Sequence, residues 1–331
     1  MTNYEFETNI KNNLEELKIE NTEKIAVAVS GGSDSLSLVL ALNNLKYNVL
    51  AILVNHNLRK EAIDEIKQTS LVLKNNNIKH IVKEWDGKYK KNLEAEARKN
   101  RYKLLIETCK ESNINILCIG HHIDDQAETF LLNLSRGSGL DGLCAMPKMM
   151  IINQIKIIRP MLNLTKQNCR DYLTNLNLKW CEDKSNYDTK YKRNNIRFLL
   201  QQIEQRDILT TRIARSVEIL QEARECLDFY FNKLFLDKNL ISFNEQKKSF
   251  VIDKNAFLEL PIYFQKILIM KCISIISNIE YKIGYEKVEN ILNSIYSNQP
   301  FKRTAGKCFI ESEKRRISRK KILIAYNDSI K

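Results

Sequence analysis

The sequence predicts an α/β fold, in which a parallel sheet carries helices on both faces and a smaller α+β domain follows. Short apolar runs at 25–29, 49–56, 78–85 and 115–120 have the length and β-branched content of buried strands. Segments of helical length precede or follow them, near 5–19, 36–45, 60–76 and 92–112. This alternation is typical of parallel sheets, in which ligands bind beyond the carboxyl ends of the strands.

The predicted elements divide the chain into three parts. Residues 1–205 hold the alternating strands and helices, with a strand-rich return over 151–160 and a helix over 164–178. A largely uninterrupted helical pattern over 206–236 connects this domain to the next. Residues 237–331 form the second domain, where we expect strands within 240–252 and 307–325 and helices over 254–276 and 284–297.

A glycine turn follows the first predicted strand and consists of Ser30, Gly31, Gly32, Ser33, Asp34 and Ser35. Adjacent glycines let the backbone turn sharply and come close to a ligand, and Ser33 and Asp34 are good helix caps. The first turn of a helix offers unpaired N–H groups and positive dipole charge, which suit a phosphate. A tight turn of any α/β protein is the alternative. The complete motif after a β-branched strand favours phosphate binding.

A second motif, GHHIDDQAETFLLNL, begins at the end of the fourth predicted strand. His121, Asp125 and Glu128 are spaced i, i+4 and i+7, so we expect them on one helix face that points into the crevice. Asp124 and Asp125 fall in the first turn, where negative charge is favoured. A capped surface helix and a zinc site are the alternatives. The strand-end position beside the glycine turn favours a catalytic site.

Two groups of arginines lie elsewhere in the first domain. Arg98 and Arg101 share a face of the helix over 92–112, and Arg193 and Arg197 lie in YKRNNIRFLL at 191–200. The planar fork of arginine binds phosphate through two parallel hydrogen bonds. A solvated helix with an internal ion pair between Glu94 and Arg98 is the alternative for the first group.

Aromatic and basic residues suggest contacts with RNA. Trp180, Tyr187 and Tyr191 stand among lysines, where they suit stacking on bases or, alternatively, anchor a loop to the domain. ESEKRRISRKK at 311–321 is strongly basic, which favours either an RNA-facing strip or a solvated hairpin.

Composition excludes several classes of protein. The chain has 331 residues and a net charge of +13, which suits a polyanionic partner. Apolar runs stay below the roughly 18 residues of a membrane span, and the first residues lack the apolar segment of a signal peptide. The eight cysteines include no CxxC and no zinc spacing, which is typical of reduced thiols in a cytoplasm. We therefore expect a cytoplasmic protein with no membrane partner.

SGGSDS resembles the loop of the N-type ATP pyrophosphatases, the PP-loop family. Together with GHHIDDQAET and the following RGSGLDGL, it looks like the tRNA(Ile)-lysidine synthetases within that family. NHNLR at 55–59, NLEAEARKNRYKLL at 92–105 and RNNIR at 193–197 resemble further segments of the same family. The resemblance covers about residues 24–200 and implies that the first domain is an ATP pyrophosphatase domain. Beyond residue 205 it is weaker.

The resemblance implies an activity for the chain. ATP would adenylate C2 of the wobble cytidine in the CAU anticodon of tRNA(Ile), and free L-lysine would then displace AMP to give lysidine. Asp34, His121, Asp125, Glu128 and Arg193 become catalytic candidates, and Arg98, Arg101 and Arg197 become substrate-binding candidates. Asp34 and Asp125 are also candidates to hold Mg²⁺, which usually keeps few protein ligands. The second domain is expected to contact tRNA.

Other interpretations remain at this point. Another PP-loop enzyme, such as a tRNA thiolase, shares the fold, although thiolases that use a cysteine pair need closer cysteines than this chain has. A non-catalytic RNA-binding protein on the same scaffold is a third interpretation. The sequence leaves the oligomeric state open, a homodimer included.

Overall fold

The computed structural model describes residues 1–55, 61–85, 93–182, 192–278, 283–297, 299–313 and 321–326. The chain falls into two compact units, Met1–Arg224 and Glu225–Lys331.

A six-stranded sheet forms the centre of the first unit. Its strands are β1 (Lys24–Val29), β2 (Asn48–Asn55), β3 (Lys79–Glu84), β4 (Ile116–Ile119), β5 (Met149–Ile152) and β6 (Ile155–Ile158). They are ordered β3-β2-β1-β4-β6-β5, and every neighbouring pair is parallel except β5 with β6. The chain leaves β1 toward β2 on one side and returns to β4 on the other. This change of direction makes the β1–β4 edge the topological switch point, where ligands of open α/β sheets bind.

Helices cover both faces of this sheet, as the sequence predicts. They are α1 (Asn3–Glu16), α2 (Ser33–Asn44), α3 (Glu61–Asn75), α4 (Leu93–Glu111), α5 (Ile123–Leu134), α6 (Leu140–Leu143), α7 (Lys166–Asn175) and α8 (Lys192–Gln201). β1 shows the two-residue period of a strand buried on both sides. Ile25 and Val27 join the core cluster that contains residues of α1, α2 and α7, whereas Ala26 and Ala28 join the cluster beneath α4.

The side of α5 that faces the protein interior is buried in a small apolar cluster. Ala127 packs with Leu200 of α8 and with Ile213 and Val217 of the long helix α9 (Arg206–Phe235), and Phe130 lies at its edge. Burying these apolar groups stabilises the arrangement by about 25 cal/mol for each Å² removed from water. The cluster fixes α5 and α8 side by side.

The second unit contains a five-stranded antiparallel sheet. Its strands are β7 (Ile241–Asn244), β8 (Ser249–Asp253), β9 (Phe301–Ala305), β10 (Cys308–Glu313) and β11 (Lys321–Tyr326), ordered β7-β8-β11-β10-β9. α10 (Lys254–Glu259), α11 (Ile262–Ser277) and α12 (Tyr285–Tyr296) complete it. Alternate strand residues such as Ile322 and Ile324 pack with Leu268 and Cys272 of α11 in a separate core. The smaller α+β domain of the prediction is confirmed.

Three details differ from the sequence-based expectations. β9 was missed, because its sequence FKRTA carries few apolar residues and three of its five residues are exposed. The helix expected over 254–276 is two helices, since Leu260 precedes Pro261 and is extended there. The apolar residue Leu134 of the GHHIDDQAETFLLNL motif is expected to pack on the inner side of its helix, but it is exposed at the end of α5. In the described part of the chain, none of the helices has the length and apolarity needed to cross a bilayer.

Candidate active site

The glycine turn connects β1 to α2 at the switch point. Gly31 has φ of +86°, a left-handed conformation that favours glycine, and a Cβ there would lie 2.5 Å from Oγ1 of Thr69. The turn is closed by Ser35, whose Oγ accepts from the backbone N–H of Ser30 at 3.1 Å and donates to the carbonyl of Gly32 at 3.2 Å. The backbone of the turn is therefore fixed by its own residues and by Cys181, whose N–H donates to the carbonyl of Gly31 at 2.9 Å.

The start of α2 has backbone N–H groups that could pair with a ligand. Its N-cap is Gly32, and among the described residues no side chain caps the helix. The expectation that Ser33 and Asp34 serve as caps is therefore wrong, because both lie inside the first turn. The hydroxyl of Ser33 donates instead to Oδ1 of Asp34 at 2.7 Å. An uncapped first turn leaves N–H groups and positive dipole charge for an anion, which suits a phosphate.

Gly120 brings the second motif against this turn. It follows β4, and a Cβ on it would lie 2.7 Å from the carbonyl oxygen of Asp34 and 3.1 Å from the backbone nitrogen of Ser35. Only glycine allows the two backbones to come this close. The residues after β4 therefore lie directly beside the first turn of α2.

His122 is at the centre of an acidic cluster. Its Nε2 lies 3.6 Å from Asp34 Oδ2 and 3.5 Å from Asp125 Oδ2, and its Nδ1 lies 3.3 Å from Asp124 Oδ2. The histidine and the two carboxyls from α5 are buried, whereas the side chain of Asp34 is 29% exposed. One buried ring therefore connects the end of β4, the first turn of α5 and the first turn of α2.

The cluster determines the charge of His122. Burial lowers the pKa of its imidazole, but the charge of Asp125 and contacts with Asp124 and Asp34 outweigh burial and raise it to about 10. Burial alone would raise the pKa of each carboxyl, but His122 holds the pKa of Asp34, Asp124 and Asp125 below the usual range. At neutral pH the cluster is an imidazolium surrounded by three carboxylates.

A second set of ion pairs connects α5 to α8. Glu128 is buried, and its carboxylate accepts from Arg193 Nε and from Arg197 Nε, each at 2.7 Å. Arg193 also reaches Asp125, with Nη2 to Oδ1 at 2.6 Å. On the other side Arg206, the first residue of α9, donates to Asp124 at 2.7 Å. Buried charges need such partners, and here each carboxylate of α5 has an arginine.

His121 lies just outside α5, because the helix begins at Ile123. The expectation that it shares a helix face with Asp125 and Glu128 is therefore wrong, although Asp125 and Glu128 do lie on the helix. Its Nδ1 accepts a hydrogen bond at 3.1 Å from Nε of Arg159, which follows β6. Burial lowers the pKa of His121 to about 3, and the nearby arginines contribute to the decrease. The two adjacent histidines thus differ: His121 is neutral and His122 is charged.

The remaining candidates in the described part of the chain are Arg98, Arg101 and Trp180. Arg98 and Arg101 lie on α4, where Arg98 is exposed and stands over the ring of Tyr102 at 5.7 Å. Burial lowers the pKa of Arg101. Trp180 is partly buried against the main core, which favours the anchoring interpretation for this residue. Some of the predictions fall outside the described residues: those for His56 of the NHNLR segment, Tyr187, Tyr191, the side chain of Glu94 and most of the basic strip at 311–321.

Of the two proposed Mg²⁺ ligands, Asp34 is better placed than Asp125 to bind a cation. Asp34 is the more exposed, and among the described residues its Oδ2 is engaged only by His122, at 3.6 Å, so it could complete a site in which water and phosphate supply the other oxygens. Asp125 has both oxygens engaged, one with Arg193 and one with the backbone N–H of His122. No three His, Cys, Asp or Glu side chains of the described residues are arranged to hold a metal on their own.

Comparison with known proteins assigns the chain to a family. A model of the PP-loop domain matches residues 2–203. The tRNA(Ile)-lysidine synthase of Rickettsia akari (strain Hartford) is 32% identical over 327 residues, which cover 92% of this chain and 70% of that protein. The chain belongs to the tRNA(Ile)-lysidine synthase family of PP-loop proteins.

Further relatives support the assignment. The family member of Wolbachia pipientis wMel is 38% identical over 280 residues, 82% of this chain and 64% of that protein. The chain therefore spans less than two thirds of the length of some of the family members it matches. Among solved structures, a U34-tRNA thiolase from Methanococcus maripaludis with its 4Fe-4S cluster aligns with a TM-score of 0.57. At 22% identity, with 66% of this chain and 78% of that chain covered, it shows the shared fold.

Four residues that build the site have no assigned role in the sequence-based prediction. His122 and Asp124 lie in the same motif as the predicted site residues. The i, i+4 and i+7 spacing selects His121, Asp125 and Glu128, so it leaves His122 and Asp124 out. Arg159 follows a predicted strand, so the rule that ligands meet at strand ends could have found it. Arg206 had no local signal, because its partner Asp124 is 82 positions away.

Proposed function

We propose that this protein is a tRNA(Ile)-lysidine synthase that uses ATP to attach lysine to the wobble cytidine of the CAU anticodon. One observation carries the proposal: the uncapped first turn of α2 and the His121–Glu128 segment meet at the switch point of the sheet. The family relationship supplies the reaction. The geometry supplies a place where a phosphate and a carbonyl could be brought together.

The first step would be adenylation. ATP would bind with its phosphates on Ser30, Gly31, Gly32, Ser33, Asp34 and Ser35, at the positive end of α2. The C2 carbonyl oxygen of the cytidine would attack the α phosphorus, forming a C–O–P bond and releasing pyrophosphate. An amide-like carbonyl is a poor electrophile, and AMP attached to its oxygen is a good leaving group. This chain would contribute mainly position and charge stabilisation.

The second step would be displacement by lysine. The side-chain amine of free L-lysine would attack C2, AMP would leave with the oxygen, and the amine would lose its proton to solvent. Asp34 could provide negative charge for the ammonium group, and Asp125 and Glu128 could do so only if Arg193 released them. The residues to which we assign catalytic roles are Asp34, His121, Asp125, Glu128 and Arg193.

The arginines of the neighbouring helices would hold the substrates. Arg98 is exposed on α4 and its charge acts on His121, so it could reach a phosphate or carboxylate in the same crevice. Arg101 is on the same helix. Arg197 is paired with Glu128 and would act on the substrate by holding that carboxylate in place. Mg²⁺ would be held by Asp34 together with phosphate oxygens, and by Asp125 only if Arg193 left it; when bound it would neutralise phosphate charge.

Residues after about 236 would provide the accessory domain. The net charge of +13 supports a polyanionic partner, and anticodon loops are single-stranded, which makes it easier for a base to leave its stack. tRNA(Ile) is the proposed partner.

A product assay tests the proposal. The full chain would be incubated with ATP, lysine and either tRNA(Ile) or the methionine tRNA of the same anticodon, and the nucleosides analysed by mass spectrometry. Lysidine in tRNA(Ile) alone is expected. A mass change that corresponds to sulfur would show a thiolase instead, and unmodified tRNA without pyrophosphate release would favour a non-catalytic RNA-binding protein.

A further inference from the structure

A buried arginine, Arg159, donates a hydrogen bond to the ring of His121. Arg159 is 4% exposed, and its Nε donates to Nδ1 of His121 at 3.1 Å. Its Nη1 donates to the carbonyl of Pro147 at 2.8 Å, and its Nη2 lies 3.3 Å from the sulfur of Met150. The guanidinium is therefore held by these three partners and by a side-chain hydrogen bond with Tyr102, whereas His121 itself is partly exposed.

The chemistry of the two groups restricts the proton of His121. Arginine has only hydrogen-bond donors and keeps its charge in proteins. The imidazole nitrogen that faces it has to accept, so that nitrogen carries no proton. In a neutral imidazole the single proton then lies on the other nitrogen, Nε2. A doubly protonated ring would direct an N–H at the guanidinium, which is unfavourable.

We propose that Arg159 is a positioning residue that fixes His121 as the neutral tautomer with its proton on Nε2, a hydrogen-bond donor for the α phosphate. The identity of the phosphate rests on the proposed function, whereas the tautomer does not. A donor that is already oriented stabilises charge that develops in the transition state without reorganisation. Second partners of this kind commonly determine which nitrogen of a histidine is protonated.

The charges that face His121 keep its ring neutral. Burial lowers its pKa to about 3; the carboxylate of Asp125 on α5 opposes this, and Arg159, Arg193 on α8 and Arg98 on α4 add to it. The ring of His121 is therefore neutral at pH 7.

Nitrogen NMR of the full chain without nucleotide tests the tautomer directly. The chain contains four histidines, so ¹⁵N-histidine labelling with a His121→Gln variant assigns the signals. At pH 7 we expect an unprotonated, pyridine-type Nδ1 and a protonated, pyrrole-type Nε2 for His121. A protonated Nδ1 would overturn the proposal, and this result would not depend on whether the protein modifies tRNA.

A double-variant cycle tests the effect on the reaction. Arg159→Met should lower kcat of tRNA-dependent ATP–pyrophosphate exchange roughly tenfold with little change in KM for ATP. In the His121→Gln background the glutamine amide N–H would replace the Nε2–H donor. An amide has no tautomer for Arg159 to select, so Arg159→Met should lower kcat little further. Arg215→Met, an exposed arginine paired with Glu218, is the matched control and should leave kcat unchanged. Equal losses from Arg159→Met in both backgrounds would show a structural role and overturn the proposal.

Discussion

At the scale of single residues, the site depends on one charged histidine. His122 is buried with Asp34, Asp124 and Asp125, each within 3.6 Å of its ring. Three carboxylates this close together would repel one another and bind protons without a cation among them. The imidazolium therefore keeps the carboxylates ionised. It also fixes the first turn of α2 relative to α5, because both helices contribute acids to it.

The charge of His122 predicts a pH dependence of stability. Its pKa is raised to about 10 in the folded chain, against about 6.5 for an unperturbed histidine. Its contribution is complete below pH about 6.5 and is lost as pH rises toward 10, at up to about 1.4 kcal/mol per pH unit. Urea unfolding between pH 6.5 and 9.5 should therefore show a steeper fall for the wild type than for His122→Gln. His80→Gln is the control, since that ring contacts a backbone oxygen. Parallel slopes for wild type and His122→Gln would contradict the assignment.

Removal of single carboxylates should affect the reaction. Asp34→Ala and Asp125→Ala should abolish tRNA-dependent ATP–pyrophosphate exchange, because each takes negative charge from the crevice and leaves His122 with fewer partners. Asp64→Ala, which removes an exposed carboxylate paired with Lys67, is the control. Near-normal exchange in either of the first two variants would remove that residue from the chemistry.

At the scale of elements, α5 and α8 act as a pair. Glu128 on α5 accepts from Arg193 and Arg197 on α8, while Ala127 and Leu200 pack in the small cluster beneath. α8 is thus held to α5 by both charge and apolar contact. The paired arginines are partly exposed, so they can face a substrate while they position the acids.

Glu128→Gln should weaken the contact between α5 and α8 and lower the stability of the protein. Breaking a buried ion pair by removing one charge costs about 3 kcal/mol or more. The free energy of unfolding in urea should fall by about this amount, whereas Glu111→Gln, which breaks the exposed pair with Lys83, should cost less than about 1 kcal/mol. Equal small losses in both variants would show that Glu128 and its arginines contribute little to stability.

The sequence determined the elements better than the contacts between them. The strands of the first unit and the glycine turn follow from local patterns, since Ile25–Val29 shows both apolar length and β-branching. The start of α5 could not be predicted, because His122 occupies the N-cap in place of a residue type with strong cap preference. The pairs of Arg159 with His121 and of Arg206 with Asp124 join residues 38 and 82 positions apart, and spacing along the chain carries no signal for them.

At the scale of the whole molecule, two units with separate cores divide the chain. The first contains the switch point and the acidic cluster, and the second contains an antiparallel sheet with its own helices. We expect the binding of the two substrates to follow this division. The nucleotide would depend on the first unit, and the large, polyanionic substrate would need both.

A shortened chain tests this division. Deleting the residues after about 236 should weaken tRNA binding more than ATP binding, since ATP would contact only the first unit. The dissociation constants would be measured by filter binding for tRNA and by calorimetry for ATP, with circular dichroism as the check on folding. Equal losses of both affinities would argue against a tRNA-facing role for the second unit.

We expect the glycine turn and the segment after β4 to form one nucleotide site. A crystal structure of the full chain with a non-hydrolysable ATP analogue tests it most directly. We expect the phosphates at the first turn of α2, with the α phosphate between Gly31–Ser35 and His121 and the side chain of Asp34 in the same crevice. Phosphates located away from α2, or Asp34 and His121 turned from the nucleotide, would contradict the account.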